Sequence, residues 1–249
     1  IHPIDNGGQK TSFDHCFLQQ AYMLGDELRD WRTLFQRTDG SIFPVECSVM
    51  MLGDPENNDG TVVVFRDISE QQRLENNWQW QLNHDQLTGL LNRTAFENTI
   101  NRELIRIKRT KEKAMLFFID LDKFKLINDE LGHAAGDQLL IGLAENLTNS
   151  ARSYDYIGRL AGDEFVVLLT QVKEDELAEL AERYRCLLEA SELNWQGKNY
   201  VITGSIGIAI LDEYSESIGE ILANADAACH QAKLKGRNQW ALYSEQQGS

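Results

Sequence analysis

The sequence predicts an α+β fold in two parts, an antiparallel sheet followed by a larger domain in which helices flank one mixed sheet. Within residues 85–245, segments with helical spacing of apolar residues alternate with apolar, strand-like runs. Residues 1–70 instead contain alternating apolar runs separated by turn residues, which predicts antiparallel strands. Residues 71–84 contain neither Gly nor Pro and predict a linker helix between the two parts.

The first part contains three predicted strands, over 31–37, 42–52 and 61–68. In the linker, apolar side chains recur at roughly helical spacing at Ile68, Leu74, Trp78 and Leu82. Such a stripe either pairs two chains as a short coiled coil or packs on its own domain, and we favour pairing.

The larger domain is predicted to alternate helices and strands around a central hairpin. The hairpin covers 155–169, where the small residues Ala161 and Gly162 separate two apolar runs. The other predicted elements are helices 92–111, 124–131, 136–150, 174–191 and 217–234, and strands 114–120, 200–211 and 240–243.

The composition excludes several classes of function. The chain has 249 residues with 39 acidic and 24 basic side chains, a net charge of −15 that opposes a broad nucleic-acid-binding face. Its four cysteines form no Cys-x-x-Cys pair, so neither zinc nor a disulfide framework is indicated. No apolar run approaches the ~20 residues that span a bilayer. We therefore expect this segment in the cytoplasm, and a membrane anchor elsewhere in the parent protein stays compatible with it.

Two acidic segments follow predicted strands and suggest a metal site. Asp120 ends the apolar run that begins at Ala114, and Asp163 and Glu164 lie at the hairpin tip. Carboxylates at strand ends suit hard cations such as Mg²⁺ (or Mn²⁺) that bridge them to substrate phosphates. Paired metals of this kind activate an attacking oxygen and neutralise a leaving one.

These segments belong to an ordered series of motifs through which residues 84–243 resemble the GGDEF diguanylate cyclase domain. The series comprises 84–93 (HDQLTGLLNR), 118–125 (FIDLDKFK), 127–129 (IND), 132–133 (GH), 136–137 (GD), 161–165 (AGDEF), 205–209 (SIGIA), 225–226 (AD) and 232–238 (AKLKGRN). The resemblance implies a βααββαβ domain related to the palm of polymerases and adenylyl cyclases. It also implies condensation of two GTP molecules into cyclic di-GMP with release of two pyrophosphates.

The resemblance assigns roles to the polar residues. It implies that metal is held by Asp120, the Leu121 carbonyl, Asp163 and Glu164, and that Asp163 or Glu164 accepts the proton. It implies phosphate contacts from Lys125, Lys233 and Arg237, and we expect the backbone at Phe124 to donate to phosphate at a helix start. We also expect Lys233 and Arg237, four residues apart, to share one helix face.

The same resemblance predicts how guanine is recognised. It implies contacts from Asn128 and Asp137, with His133 nearby either touching substrate or fixing the loop. A carboxylate accepts from both the ring N–H and the exocyclic amine of guanine, so Asp137 favours GTP over ATP. A structural reading of Asp137 is also open, because an acid at the start of the predicted helix 136–150 is favoured by the helix dipole.

Regulation is predicted at three places. Arg152 and Asp155 have the spacing of the family's product-inhibition site, which implies binding of cyclic di-GMP. Because one site holds one GTP, the family's reaction needs a homodimer. Residues 1–70 resemble the C-terminal half of a PAS sensor domain, ending at 67–70 (DISE). The segment is shorter than a whole PAS domain, and we expect it to lack the first strands and the helices that wall a ligand pocket.

Departures from the family pattern leave alternatives open. Ala161 stands where the family usually has Gly, and an added methyl group could crowd the nucleotide or block a positive φ. Cys229 and His230 replace an apolar residue and Tyr, and Gln239 replaces Arg. Three functions therefore compete: an active cyclase, a degenerate module that binds GTP or cyclic di-GMP, and a cyclase that uses ATP or makes a mixed dinucleotide. The retained acids and Asp137 favour the first.

Overall fold

The computed structural model describes residues 2–4, 28–51 and 61–244, which divide into two compact units between Gln79 and Trp80. The expectation that the first part lacks the pocket-walling helices of a PAS domain concerns residues 5–27, which lie outside the described residues. The PAS resemblance therefore stays a prediction. Among the described residues, none of the helices combines the length and the apolar character that crossing a membrane requires.

The first unit contains a four-stranded antiparallel sheet in the order β1-β2-β3-β4. Its strands are β1 (His2–Ile4), β2 (Leu28–Gln36), β3 (Ile42–Met51) and β4 (Thr61–Asp67). The three predicted strands are present, and β1 is an additional strand that pairs with β2. Alternate side chains of β3, from Phe43 to Val49, are buried, as expected for a sheet with one apolar face.

Helix α1 (Ser69–Asn83) confirms the predicted linker helix. Leu74, Trp78 and Leu82 are exposed by 47%, 68% and 69%, so no part of the described chain covers this stripe. Ile68 was wrongly placed on the stripe. It precedes the helix, is buried, and its N–H donates to the carbonyl of Pro44 at 3.1 Å, so it belongs to the sheet of the first unit.

The second unit is built on a five-stranded mixed sheet in the order β11-β10-β5-β7-β6. Its strands are β5 (Lys113–Leu121), β6 (Tyr156–Ala161), β7 (Glu164–Val172), β10 (Gly204–Leu211) and β11 (Trp240–Leu242). Only the β10–β11 pair is parallel. This arrangement agrees with the mixed sheet that the sequence predicts.

Helices cover both faces of this sheet. They are α2 (Arg93–Thr110), α3 (Phe124–Leu131), α4 (His133–Ser150), α5 (Leu177–Glu189) and α6 (Ile218–Leu234). Leu116 and Phe118 of β5 join a cluster with side chains of α2 and α6, whereas Phe117 and Ile119 join a cluster with α4 and α5. Successive side chains of β5 therefore supply two cores, as expected for a central strand.

Helix α6 approaches the sheet at one glycine. A Cβ on Gly207 of β10 would lie 1.9 Å from the carbonyl oxygen of Ala225. The missing side chain therefore lets the helix backbone rest directly on the strand. This contact sets the height of α6 above the sheet.

Three predicted elements differ in the structure. The predicted strand 200–211 begins later in the structure, as β10 at Gly204, and a hairpin of β8 (Glu192–Trp195) and β9 (Lys198–Val201) precedes it. Its turn, Gln196-Gly197, has φ values of 50° and 77°, which suit a tight hairpin. Helix α4 begins at His133 rather than 136. A 3₁₀ turn, Glu174–Glu176, precedes α5, so the predicted helix 174–191 is shorter than expected.

Candidate functional site

The sheet register brings together acids that are far apart in the sequence. Asp120 near the end of β5 pairs directly with Glu164 at the start of β7, and Ser205 of β10 pairs with Asp120 on its other side. Directly opposite residues of antiparallel strands project to the same face. Asp120 and Glu164 therefore form an acidic pair on the face covered by α2 and α6.

Cations accompany this acidic pair. Lys233, near the end of α6, forms an ion pair with Oδ1 of Asp120. Arg93, the first residue of α2, places Nη2 4.0 Å from Oε2 of Glu164. The ends of two helices thus contribute positive charge to the edge of the sheet where the two carboxylates lie.

The two carboxyls are less acidic than usual. Burial raises the pKa of Asp120, and Asp163 and Asp122 raise it further, while the Lys233 ammonium opposes the shift. Burial also raises the pKa of Glu164, followed by the charges of Asp120 and Asp226. Like charges in a partly desolvated site disfavour the ionised forms, so the pair would be stabilised by an added cation.

The turn that carries Asp163 answers one of the two doubts about Ala161, the one that concerns a positive φ. The residue with a positive φ is Gly162, at 45°, and Ala161 is absent from the described residues with positive φ. Ala161 is the last residue of β6 and is exposed. The alanine therefore costs the backbone no left-handed strain, because the adjacent glycine takes that conformation.

The residues present fit a magnesium ion. Asp120, Asp163, Glu164 and the Leu121 carbonyl offer only oxygen, which hard cations prefer. Within residues 2–4, 28–51 and 61–244, no three or more acidic, His or Cys side chains converge as a metal cage. Mg²⁺ usually uses one or two carboxylates and completes its shell with water and phosphate.

A second polar region lies where α3 meets α4. A Cβ on Gly136 would be 2.0 Å from Oδ1 of Asn128, so the glycine makes room for the asparagine. That Oδ1 is buried without a hydrogen-bond partner among the described residues. Asp137 is exposed in the second turn of α4, because the helix begins at His133. The helix-start explanation of Asp137 is therefore wrong, and His133 is itself exposed at that start.

The residues predicted to contact phosphate lie on different elements of the structure. Lys123 caps α3 with φ of 60° and no side-chain capping bond, so no side chain caps the amides at this helix start, a kind of position where anions bind. Phe124 is buried there and Lys125 is exposed. The shared helix face of Lys233 and Arg237 is wrong, since α6 ends at Leu234. Gly236 and Arg237 turn the chain with φ of 125° and 65°.

Asp122 is a buried residue to which the sequence analysis gave no role. It accepts hydrogen bonds from Thr203 Oγ1 at 2.7 Å, Ser205 Oγ at 2.8 Å and the Asn238 N–H at 3.0 Å. It therefore ties the end of β5 to β10 and to the loop that carries Arg237. In the same loop, Gln239 Nε2 donates to the Ala232 carbonyl at 2.9 Å, which shows that this departure from the family pattern caps α6.

Arg152 and Asp155 lie apart from the acidic pair. They line a cavity of about 410 Å³ with His84, Thr148 and neighbouring residues. The Asp155 carboxylate accepts from the Arg152 N–H at 2.9 Å, while the guanidinium of Arg152 is exposed. A charged, accessible side chain beside an open cavity is available to a ligand.

Comparisons with known proteins agree on residues of the second unit. The family model described as "Diguanylate cyclase, GGDEF domain" matches residues 82–239. The chain is 34% identical over 211 residues to the probable diguanylate cyclase DgcE of Escherichia coli, covering 84% of this chain and 19% of DgcE. It is 37% identical over 163 residues to the cyclic di-GMP phosphodiesterase NbdA of Pseudomonas aeruginosa, covering 66% of this chain and 21% of NbdA.

A solved structure with a similar fold contains a bound nucleotide. The coiled coil and GGDEF domain of DgcB from Caulobacter crescentus, in complex with c-di-GMP, aligns with a TM-score of 0.63 at 27% identity. The alignment covers 70% of this chain and 93% of that one. The chain spans only about a fifth of the length of DgcE and NbdA, at 19% and 21%.

Proposed function

Given that the chain belongs to the GGDEF diguanylate cyclase family, we propose that it condenses two GTP molecules into cyclic di-GMP and two pyrophosphates. The observation that supports this most directly is the pairing of Asp120 with Glu164, with Lys233 beside them. A module that only bound nucleotide would not need both acids and the ammonium in this arrangement.

Each half of the reaction forms one phosphodiester. A ribose 3′-oxygen bonds to the α-phosphorus of the other GTP, the bond from that phosphorus to the bridging oxygen breaks, and pyrophosphate leaves. Glu164 or Asp163 accepts the proton of the hydroxyl, and burial raises the pKa of Glu164, which makes its carboxylate a stronger base. Lys233 and Arg237 bind the phosphate oxygens as fixed positive charges.

Asp120, Asp163, Glu164 and the Leu121 carbonyl would hold the magnesium (or manganese). When bound there, the metal lowers the pKa of the attacking hydroxyl and neutralises charge on the triphosphate. The ion pair of Lys233 with Asp120 holds positive charge at the same carboxylate. The ammonium is then already close to where the phosphates arrive.

Guanine is recognised between α3 and α4. Asp137 accepts from the ring N–H and the exocyclic amine, a pair of donors that adenine lacks. The buried Oδ1 of Asn128 offers a further acceptor that the described residues leave without a partner. His133 is exposed and lies four positions before Asp137 in the sequence. It either touches substrate or fixes the loop.

Because one site holds one GTP, two chains face each other in a homodimer. The exposed stripe of Leu74, Trp78 and Leu82 on α1 supplies the pairing surface, as a short coiled coil. Residues 1–70 act as a partial PAS-like sensor, residues 71–84 as the linker and residues 85–245 as the catalytic domain. A signal then changes how often the two catalytic domains meet.

The proposed activity is tested by incubating the protein with GTP and Mg²⁺ and separating the nucleotides by chromatography. Cyclic di-GMP and pyrophosphate in a 1:2 ratio are expected, and ATP in place of GTP should give no cyclic dinucleotide. A protein that binds GTP tightly yet releases no pyrophosphate at any concentration would contradict the proposal.

Product inhibition at Arg152 and Asp155 is the second part of the proposal. Replacing Arg152 by alanine removes a guanidinium that can clamp phosphate or guanine. The cyclic di-GMP concentration that halves the initial rate should rise at least about tenfold, equivalent to about 1.4 kcal/mol. Arg109→Ala, an exposed arginine at the end of α2, is the matched control. Unchanged inhibition in Arg152→Ala would place the inhibitory site elsewhere.

A binding module without catalysis is the second candidate. It is favoured by Ala161 and by the similarity to NbdA, which is named as a cyclic di-GMP phosphodiesterase and not as a cyclase. A receptor would bind GTP or cyclic di-GMP and release no pyrophosphate in the assay above. The absence of backbone strain at Ala161 and the retained acids make the cyclase the better supported function.

A further inference from the structure

A nearly buried arginine joins the acidic turn to the segment that follows the linker helix. Arg159, near the end of β6, has a side chain that is 11% exposed. Its Nε donates to the Gly162 carbonyl at 2.9 Å, and its Nη1 donates to Oδ1 of Asp85 at 2.8 Å. One guanidinium thus holds two segments that are far apart in the sequence.

The strand pairing is interrupted beside this side chain. Arg159 pairs with Phe165 and Ala161 pairs with Glu164, so the register shifts between the two pairs, as at a β-bulge. A bulge removes regular ladder hydrogen bonds and re-aims nearby side chains. The carbonyl of Gly162 is held by Arg159 at the tip of the hairpin.

Asp85 is itself held in place. Its Oδ1 accepts from the N–H and Oγ1 of Thr88 at 2.9 and 2.6 Å, and its N–H donates to the Leu90 carbonyl at 2.8 Å. Burial raises the pKa of Asp85, but the hydrogen bonds from Thr88 and Arg159 outweigh it and leave the pKa below its ordinary value. Arg159 therefore binds a fixed anion rather than a mobile side chain.

The segment containing Asp85 is also attached to the end of α1. The Asn92 N–H donates to the Asn83 carbonyl at 2.9 Å, and its Nδ2 donates to the Leu82 carbonyl at 2.8 Å. Its Oδ1 caps α2 by accepting from Ala95 N at 3.0 Å. Residues 84–91 are therefore held at both ends, between the linker helix and the catalytic sheet.

We propose that Arg159 is a positioning residue: it fixes the turn 161–163 so that Asp163 and Glu164 face Asp120, and Asp85 fixes Arg159. In this role Arg159 acts through the carbonyl of Gly162, to which its Nε donates, and not as a ligand of substrate or metal. The inference rests on the proposed function, because it concerns the same acidic turn. It adds that the position of this turn depends on residues 84–91, the segment that follows the linker helix.

The test compares Arg159→Lys, Arg159→Gln, Asp85→Asn and the double variant Asp85→Asn/Arg159→Gln. A lysine keeps the charge but is a point donor that cannot reach both acceptors in the geometry of the guanidinium. We expect kcat to fall and the Mg²⁺ concentration for half-maximal rate to rise, each by about 10- to 100-fold in Arg159→Gln, as for residues that orient metal ligands. The KM for GTP should change by less than about threefold, since Asn128 and Asp137 are not displaced.

The double variant tests whether Asp85 and Arg159 act together or contribute independently to the rate. If Asp85 acts through Arg159, the double variant should lose no more than Arg159→Gln alone, which is strong non-additivity. Arg106→Gln is the matched control. Arg106, near the C-terminal end of α2, forms a comparable, partly buried ion-pair network with Glu103 and Glu112. It should lower the melting temperature without changing the Mg²⁺ dependence.

The outcomes separate this inference from the proposed function. Cyclic di-GMP from the wild-type protein supports the function whatever Arg159 does. If the wild type makes none, the same variants are titrated with Mn²⁺ in the presence of a non-hydrolysable GTP analogue, and weaker Mn²⁺ binding in Arg159→Gln still supports positioning. The positioning role would be overturned if Arg159→Gln left the metal dependence of the rate and the metal binding unchanged. It would also be overturned if the loss of activity only followed the unfolded fraction of the protein, as expected for Arg106→Gln.

Discussion

Glu164→Gln is expected to lower cyclic di-GMP production by about 100- to 1,000-fold, the loss typical when one preorganised charged or polar group is removed from a reaction centre. The amide cannot accept the proton of the 3′-hydroxyl and is a poor ligand for a hard cation. The fold should survive, because Glu164 is only half-buried and its nearest cation, Arg93 Nη2, is 4.0 Å away. Initial rates of pyrophosphate release, with thermal melting in parallel, measure both quantities.

The structure offers a matched control for this variant. Glu145→Gln makes the same chemical change at an exposed position on α4 and should leave the rate within a factor of about two, as surface substitutions usually do. GTP binding by Glu164→Gln should persist through Asn128 and Asp137. Turnover within tenfold of wild type in Glu164→Gln would remove Glu164 from the metal and proton roles, and a binding role for this turn would then be favoured.

Trp78→Glu is expected to separate the two chains of the proposed homodimer. Trp78 is 68% exposed on α1, so the substitution leaves the helix intact, since glutamate is a good helix former. In a paired helix it would bury two like charges, which is unfavourable. Turnover per chain at micromolar protein should fall at least about tenfold and recover as the concentration rises, because association follows mass action.

Sedimentation at several protein concentrations, with rates measured on the same samples, tests this prediction. Asn76→Glu places the same charge on the opposite side of α1 from Leu74 and Trp78 and should leave both association and rate unchanged. If Trp78→Glu stays dimeric and active, the pairing surface lies elsewhere. If it becomes monomeric yet fully active, the reaction does not need two chains facing each other.

The sequence predicted most elements of the second unit. Long apolar runs and helical spacing of apolar residues identify a strand or a helix even when the pairing of the strands is unknown. The strand-end positions of Asp120 and Glu164 suggested one metal site, but their direct pairing could not be predicted, since it depends on a strand register that no local pattern specifies. The hairpin of β8 and β9 was missed because each strand has four residues, too few to show alternation. Arg237 was misplaced because a left-handed turn, rather than the helix, follows Lys235.

The residues that hold the site in place were the least visible in the sequence. Asp122 reads as a second acid in an acidic motif, yet it is buried and accepts three hydrogen bonds from β10 and the Asn238 loop. Arg159 reads as one arginine before a turn. Their roles depend on partners more than 70 positions away in the chain, such as Asp85 and Asn238.

The contact at Gly207 has a consequence for how freely this chain can change in evolution. The ammonium of Lys233 reaches Asp120 only because α6 rests on the bare backbone of β10 two turns earlier. His230, exposed on the outer side of α6, can be exchanged without moving that helix. Any side chain at Gly207 would lift α6 and carry Lys233 away from its carboxylate. Natural variation should therefore be tolerated on the outside of α6 and strongly restricted at a position that touches no substrate.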